Sequence, residues 1–300
     1  MPLSVAFLGL GAIGAPMAGH LARSGHQLSI WNRTAPKASE SAAARAGARV
    51  ASSPADAATD ADIVITCLPQ SSDVAELLAA DDHALRDAMR PGVLMVDCTS
   101  GDPESSQRIA LELAARGIGF IDAPVSGGVA GAEAGTLTVM VGGDAAALER
   151  ARPVLDSFAG KIVHCGDIGA GHALKAVNNA LLALHIWSTA EGLVAAMKAG
   201  VAPQVALDVI NASSGRSNAS MNLFPDRVLT GAFPRTFRLA LLDKDAGIAA
   251  AMARSQKFPS PTLQLAADLM RMAHLELGDE VDHVEAVRLV ERWAGVELRS

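Results

Sequence analysis

Three groups of residues in this chain have types and spacings suited to chemistry. The first is Gly9-Leu10-Gly11-Ala12-Ile13-Gly14, which follows the apolar run Val5–Leu8 and leads into Met17. Glycine weakens a strand or a helix, so three at this junction mark a place where the backbone turns tightly and is closely approached. Between a strand and a helix, Gly9 permits the turn, Gly11 admits a pyrophosphate, and Gly14 lets helix and strand pack closely. The leading amides, at Ala12 and Ile13, then meet the phosphate charge. The next apolar run, Gln27–Trp31, ends in Asn32-Arg33-Thr34. Proteins that bind NAD commonly place an acidic residue there, on the ribose hydroxyls. Without it the repulsion toward a 2′-phosphate is gone. Arg33 offers that phosphate a planar fork and Thr34 a further donor, so the sequence predicts NADP, with NADPH preferred over NADH.

The second group lies in GAGHALKAVNNALLA, where Gly171, Lys175 and Asn179 follow one another at intervals of four and share one face of a helix. An ammonium group there can hold or release a proton. Lysine in water titrates near ~10.4, so work near neutrality calls for a lowered value, through desolvation in an interdomain cleft or a neighbouring cation such as Lys244. Asn179 can orient the lysine or a substrate hydroxyl without locking Lys175 into a salt bridge. The third group is Ser126-Gly127-Gly128, a hydroxyl beside unobstructed amides, an arrangement able to cradle a carboxylate.

These groups must be positioned by regular elements. Strands are expected at Val5–Leu8, Gln27–Trp31, 61–68, 93–97, Gly119–Asp122 and 136–141, with helices within 17–24 and 35–46. Strands alternating with helices through short Gly- or Pro-bearing turns predict parallel pairing. From Gly171 the pattern becomes helical: 171–198, 203–211, 239–254, 261–275 and 281–293, with Pro203 and Pro261 at helix starts. A helix over 171–198 would run roughly 40 Å, long enough to join two domains or pack on another subunit. The expected fold class is α/β: an N-terminal doubly wound Rossmann-type domain over 1–165, then an all-α domain over 166–300, joined through the long helix.

Composition narrows the partners. The formal charge is -7 with no basic block, and the chain has no Tyr, three Trp and seven Phe, which argues against nucleic acid. Cys67, Cys98 and Cys165 are odd in number and lack metal-ligand or Cys-x-x-Cys spacing, so they read as buried thiols in a reducing compartment, with no metal site. No signal peptide is evident, and no run is expected to reach the ~20 residues that span a bilayer, so a cytoplasmic protein with no membrane partner is expected.

Taken in order, the motifs resemble the β-hydroxyacid dehydrogenase family. They are G-L-G-x-x-G-x-x-M from Gly9 to Met17, Leu68-Pro69, D-x-T-S-x-x-P from Asp97 to Pro103, D-A-P-V-S-G-G from Asp122 to Gly128, G-x-x-x-K-x-x-N-N from Gly171 to Asn179, and Lys244-Asp245. The resemblance covers essentially the whole chain. It implies that Lys175 is catalytic with Asn179, that Ser126, Gly127, Gly128 and Asn179 hold a small carboxylate substrate, and that Leu68, Pro69, Ser100 and Lys244 lie around the cofactor. It also implies reversible reduction of a short carboxylate-bearing aldehyde to its hydroxyacid, in a homodimer or homotetramer. Two departures from the family stand out: Thr99-Ser100 where Ser-Thr is usual, which preserves the hydroxyls, and Asp73 where Asn often follows Leu-Pro, which puts that cofactor contact in question. Competing readings are an imine reductase, which has Asp or Tyr in place of Lys175, a 6-phosphogluconate dehydrogenase, which needs a longer helical domain, and a dinucleotide sensor without chemistry.

Overall fold

The computed structural model describes residues 2–79 and 84–299. The chain divides into two compact units, Met1–Lys175 and Ala176–Ser300, and the division falls inside the helix Ala170–Lys198.

The first unit is an α/β layer structure. Its strands are β1 (Ser4–Leu8), β2 (Gln27–Trp31), β3 (Arg49–Val50), β4 (Ile63–Thr66), β5 (Leu94–Asp97), β6 (Gly119–Asp122), β7 (Val125–Ser126), β8 (Leu137–Gly142) and β9 (Ala159–Gly166). They form one sheet in the order β3-β2-β1-β4-β5-β6-β8-β7, with β9 also paired to β8. The six strands from β3 to β6 are parallel. Successive side chains serve opposite faces, as a period of two requires. Val5, Phe7, Ile63, Ile65, Leu94 and Val96 enter one apolar cluster. Ala6, Leu8, Val64 and Met95 enter another. The doubly wound reading therefore holds.

Parallel pairing does not hold throughout. β8 runs antiparallel to β6 and β7: β7 carries the chain on in the direction of β6 after Ala123 and Pro124, and the chain then reverses through Gly127 and the short helix Gly128–Ala134 to run back beside both. β9 has no counterpart among the expected strands; none of its residues is fully buried, and it offers no continuous apolar run. The helix expected over 35–46 is two, Ala35–Ser39 and Ala42–Arg45, because Ser41 starts the second by accepting a hydrogen bond from the Ala44 amide. Of the three cysteines only Cys98 is fully buried as a residue. Burial nevertheless pushes the Cys67 thiol up to about 12 and raises that of Cys98, so both are held as thiols.

The second unit is helical, including Pro203–Ala212, Leu239–Ser255, Pro261–Leu277 and Val287–Ala294. The stretch expected as one helix over 281–293 opens instead with a 3-10 turn, His283–Ala286, capped by Asp282. The long helix is, by length and composition alone, apolar enough to cross a bilayer, contrary to expectation. Its Ala183, Ile186, Trp187, Ala190 and Leu193 lie in the core with Phe224, Leu242 and Met270. That burial marks it as the central helix of a globular unit.

Helices Leu239–Ser255 and Pro261–Leu277 pack on each other through small residues, among them Ala246, Ala250, Ala266 and Ala273, and a polar clamp joins them. His274 bridges Asp243 (Nδ1 to Oδ2, 2.7 Å) and Asp279 (Nε2 to Oδ1, 2.6 Å). The bond to Asp243 raises the His274 pKa against a smaller opposing effect of burial, and Asp279 adds to the rise. A raised folded-state value means that the stabilisation is fully present below the unfolded value of about 6.5 and fades as pH climbs through the folded one. Replacing His274→Gln should therefore lower the thermal midpoint more at pH 6 than at pH 9, as followed by circular dichroism; equal losses at both would contradict the clamp.

Candidate active site

In β3-β2-β1-β4, the chain leaves β1 toward one side of the sheet and returns to the other at β4, which makes the carboxyl ends of β1 and β4 a topological switch point. The Gly-rich loop sits there. Gly9 adopts φ +106, and a Cβ on it would stand 2.3 Å from the Cys67 carbonyl oxygen and 2.8 Å from Leu68 Cδ2. A Cβ on Gly14 would stand 2.0 Å from the Gly9 carbonyl oxygen and 3.2 Å from Phe7. Both glycines are thus demanded by the protein's own packing. Gly11 is not: a Cβ there meets no atom within 4 Å. The helix that follows, Gly14–Arg23, has no side-chain cap, so its leading amides are available to an anion. Asn32 accepts from the Leu10 amide at 2.8 Å and donates to the Thr34 carbonyl at 3.0 Å, fastening the glycine loop to the end of β2. Arg33 beside it is exposed, with no hydrogen-bond or ion-pair partner among the described residues. A tight open loop, uncapped amides and an uncommitted guanidinium fit a dinucleotide with its phosphates on Gly9–Gly14.

A buried polar frame runs along the neighbouring strand ends. Asp97 Oδ1 accepts from the Thr66 hydroxyl at 2.8 Å and the Thr99 amide at 3.0 Å, and Thr99 Oγ1 accepts from the Leu68 amide at 3.1 Å. Asp122, fully buried at the end of β6, accepts from the amides of Gly169 (2.6 Å) and His172 (2.8 Å) at the start of the long helix. Burial raises the Asp122 pKa against these bonds and the nearby His172. Gly171 fits only as glycine, since its Cβ would lie 2.3 Å from the Met140 carbonyl oxygen.

Farther along the helix the buried stripe runs through His172, Lys175, Asn179, Ala183, Ile186, Ala190 and Leu193. Three polar side chains on an otherwise apolar stripe carry a desolvation cost that packing does not explain. Asn179 Nδ2 donates to Asp245 Oδ2 at 2.6 Å and its Oδ1 accepts from Asn178 at 3.1 Å, which fixes the amide's orientation. Asp245 is itself buried, and its other oxygen pairs with Lys244 Nζ at 2.9 Å.

Known proteins agree with this architecture. The profile described as the NAD binding domain of 6-phosphogluconate dehydrogenase matches residues 4–166, and that described as NAD-binding of NADP-dependent 3-hydroxyisobutyrate dehydrogenase matches 169–290. The 2-(hydroxymethyl)glutarate dehydrogenase of Eubacterium barkeri is 35% identical over 297 residues, 99% of this chain and 97% of that protein. The NAD-dependent L-serine dehydrogenase of Pseudomonas aeruginosa is 37% identical over 274 residues, 89% of this chain and 91% of its own. A solved structure of Mycobacterium tuberculosis 3-hydroxyisobutyrate dehydrogenase with L-serine superposes with a TM-score of 0.87 at 35% identity, covering 97% of this chain and 99% of that one. The chain belongs to the β-hydroxyacid dehydrogenase family. It is an NAD(P)-dependent hydroxyacid dehydrogenase with a nicotinamide dinucleotide as cofactor.

Within this dehydrogenase the expected site residues have distinct surroundings. Gly9, Gly11, Ala12, Ile13 and Gly14 form the loop after β1, while Leu68, Pro69 and Ser100 follow β4 and β5. Met17 is fully buried in the same apolar cluster as Phe7 and Leu21, so its side chain serves the core. Ser126 ends β7. Gly127 (φ +135) and Gly128 (φ +63) then turn the chain into the helix Gly128–Ala134. Lys244, expected beside the cofactor, is ion-paired with Asp245. The roles of Asp97, Asp122, Asp245 and His172 escaped sequence reasoning. Their motifs are visible in the sequence, but their partners are not: Asp122 takes the Gly169 and His172 amides, Asp97 the Thr66 hydroxyl, Asp245 the Asn179 side chain, and His172 the Thr99 carbonyl and Ser106 hydroxyl, most of them distant in sequence.

Gly14 and Gly11 should respond differently to a methyl group. Gly14→Ala should lower the thermal midpoint by several degrees, a loss of roughly 2 kcal/mol or more. Gly11→Ala should leave the midpoint within about a degree yet weaken dinucleotide binding roughly tenfold, read by protein fluorescence titration. Equal effects on both quantities in the two variants would contradict the division of roles.

Proposed function

We propose that this dehydrogenase interconverts a short carboxylate-bearing aldehyde and its hydroxyacid, prefers NADP(H), and uses Lys175 as general acid and base. The observation that carries the reading is the placement of Lys175 and Asn179 one turn apart on the buried stripe of the long helix. When bound, the nicotinamide supplies or accepts the hydride. In reduction, the Lys175 ammonium stabilises the negative charge growing on the carbonyl oxygen and gives it a proton; in oxidation, the neutral amine takes the proton from the hydroxyl. Asn179, its orientation set by Asp245, directs its amide to the reacting oxygen or to the lysine. Ser126 and the amides of Gly127 and Gly128 receive the substrate carboxylate. Among the described residues the Ser126 hydroxyl has no hydrogen-bond partner in the protein, which suits this role.

The preference for NADP(H) rests on Arg33, uncommitted where an acidic residue would face a ribose hydroxyl, with Thr34 beside it. The curated L-serine relative is named as NAD-dependent, so this preference is a property of these residues and not of the family. Candidate aldehydes are tartronate semialdehyde, methylmalonate semialdehyde, succinic semialdehyde and glyoxylate. The alcohols named for the relatives, 2-(hydroxymethyl)glutarate, L-serine and 3-hydroxyisobutyrate, all carry a CH2OH group on the carbon next to the carboxylate. That shared skeleton favours the first two aldehydes.

Lys175→Ala should keep dinucleotide affinity and lose kcat by about 10²–10⁴-fold, followed at the nicotinamide absorbance band with the four aldehydes. Near-normal turnover would reject the lysine's role. In the same assay Arg33→Asp should shift the NADPH-to-NADH ratio of kcat/KM toward NADH by about tenfold or more; an unchanged ratio would reject the cofactor preference.

A further inference from the structure

One buried group is unused by this mechanism. His172 is completely inaccessible, yet both ring nitrogens are engaged: Nε2 lies 2.9 Å from the Thr99 carbonyl oxygen and Nδ1 lies 2.6 Å from Ser106 Oγ. A carbonyl only accepts, so Nε2 carries a hydrogen and donates it. The ring is boxed in by Gly101, where a Cβ would stand 2.8 Å from its Cε1. Its own backbone amide is held by Asp122. The side chain thus joins three things: the loop after β5, the helix Pro103–Ala114 that carries Ser106, and the first turn of the long helix. Thr99 in turn receives the Leu68 amide, so the loops bearing Leu68, Pro69 and Ser100 belong to the same hydrogen-bonded frame.

We propose that His172 is a positioning residue for Lys175: its ring fixes the rotation and advance of the long helix's first turn against the loops after β4 and β5. Lys175 lies three residues on, and its Nζ takes its place from that turn. This inference rests on the proton-transfer role of Lys175 given above. An imidazole bonded at both nitrogens resists rotation about the helix axis, which amide bonds to Asp122 alone leave softer. An apolar side chain of similar size would fill the space but would leave the buried Thr99 carbonyl without the imidazole donor, so the ring's place is set by its hydrogen bonds and not by its bulk. A displacement of about 1 Å at a reacting group can cost on the order of a hundredfold in rate, so the second bond matters to turnover out of proportion to stability.

The test uses the intact enzyme and the variants His172→Leu, His172→Gln, Ser106→Ala and Lys175→Ala. His172→Leu should lower kcat by about tenfold to a hundredfold at saturating substrate and cofactor, with dinucleotide Kd unchanged within about threefold. His172→Gln, which retains a donor and an acceptor, should recover most of the loss, and Ser106→Ala should show a partial one. If the histidine acts through the lysine, adding His172→Leu to Lys175→Ala should change the residual single-turnover rate by less than about twofold. Full multiplicative losses in that double variant, or normal kcat in both His172→Leu and Ser106→Ala, overturn the inference while the lysine's role stands. Normal turnover by Lys175→Ala overturns both. Should His172→Leu fail to fold, Ser106→Ala alone and combined with Lys175→Ala decides by the same criterion.

Discussion

The site depends on how the first turn of the long helix is held to the ends of the parallel strands. A helix start leaves amides without intrahelical partners, and here the buried Asp122 carboxylate takes two of them, from Gly169 and His172. The glycine at 171 lets the turn press against the β8 backbone at Met140. Once that turn is placed, the Cα–Cβ directions of the following turns are placed too, because the helix repeats every 3.6 residues. The turn that carries Lys175 is thus braced by a carboxylate fifty-three positions before the lysine in the sequence.

The same strand ends also carry the cofactor machinery. Gly9 presses on Cys67 and Leu68, Thr99 receives the Leu68 amide, and Asp97 ties Thr66 to Thr99. In the proposed function, proton transfer and dinucleotide recognition therefore draw on one hydrogen-bonded frame, made of strand termini whose polar side chains are buried. Such a frame is costly to desolvate and stabilises little relative to an apolar core, but it allows one arrangement only. That property is what a reaction needing tight alignment requires.

Much of this was legible in the residues. The spacing of Gly9 and Gly14 marks turn and packing glycines, and a Cβ on either would stand 2.3 or 2.0 Å from a backbone oxygen, which those roles entail. The long helix was legible because 171–198 contains no proline and one interior glycine after Gly171. The spacing of Gly171, Lys175 and Asn179 placed them on one face, and the buried stripe contains them. Other features were hidden for physical reasons. β9 has no fully buried residue and so no continuous apolar run, and the antiparallel pairing at β7 depends on the reversal through Gly127 and the helix Gly128–Ala134. The break at Ser41 depends on a hydroxyl competing with the helix for an amide, which composition alone does not reveal. Nothing in the sequence marks out His172, because its partners, Thr99 and Ser106, are distant in sequence.

The most direct measurement of the central claim is a crystal structure of the enzyme with NADPH and a hydroxyacid that it turns over. The predicted result is Lys175 Nζ about 3 Å from the substrate hydroxyl oxygen, with the adjacent carbon facing the nicotinamide C4. A lysine nitrogen turned away, with another side chain or only solvent at that oxygen, would contradict it.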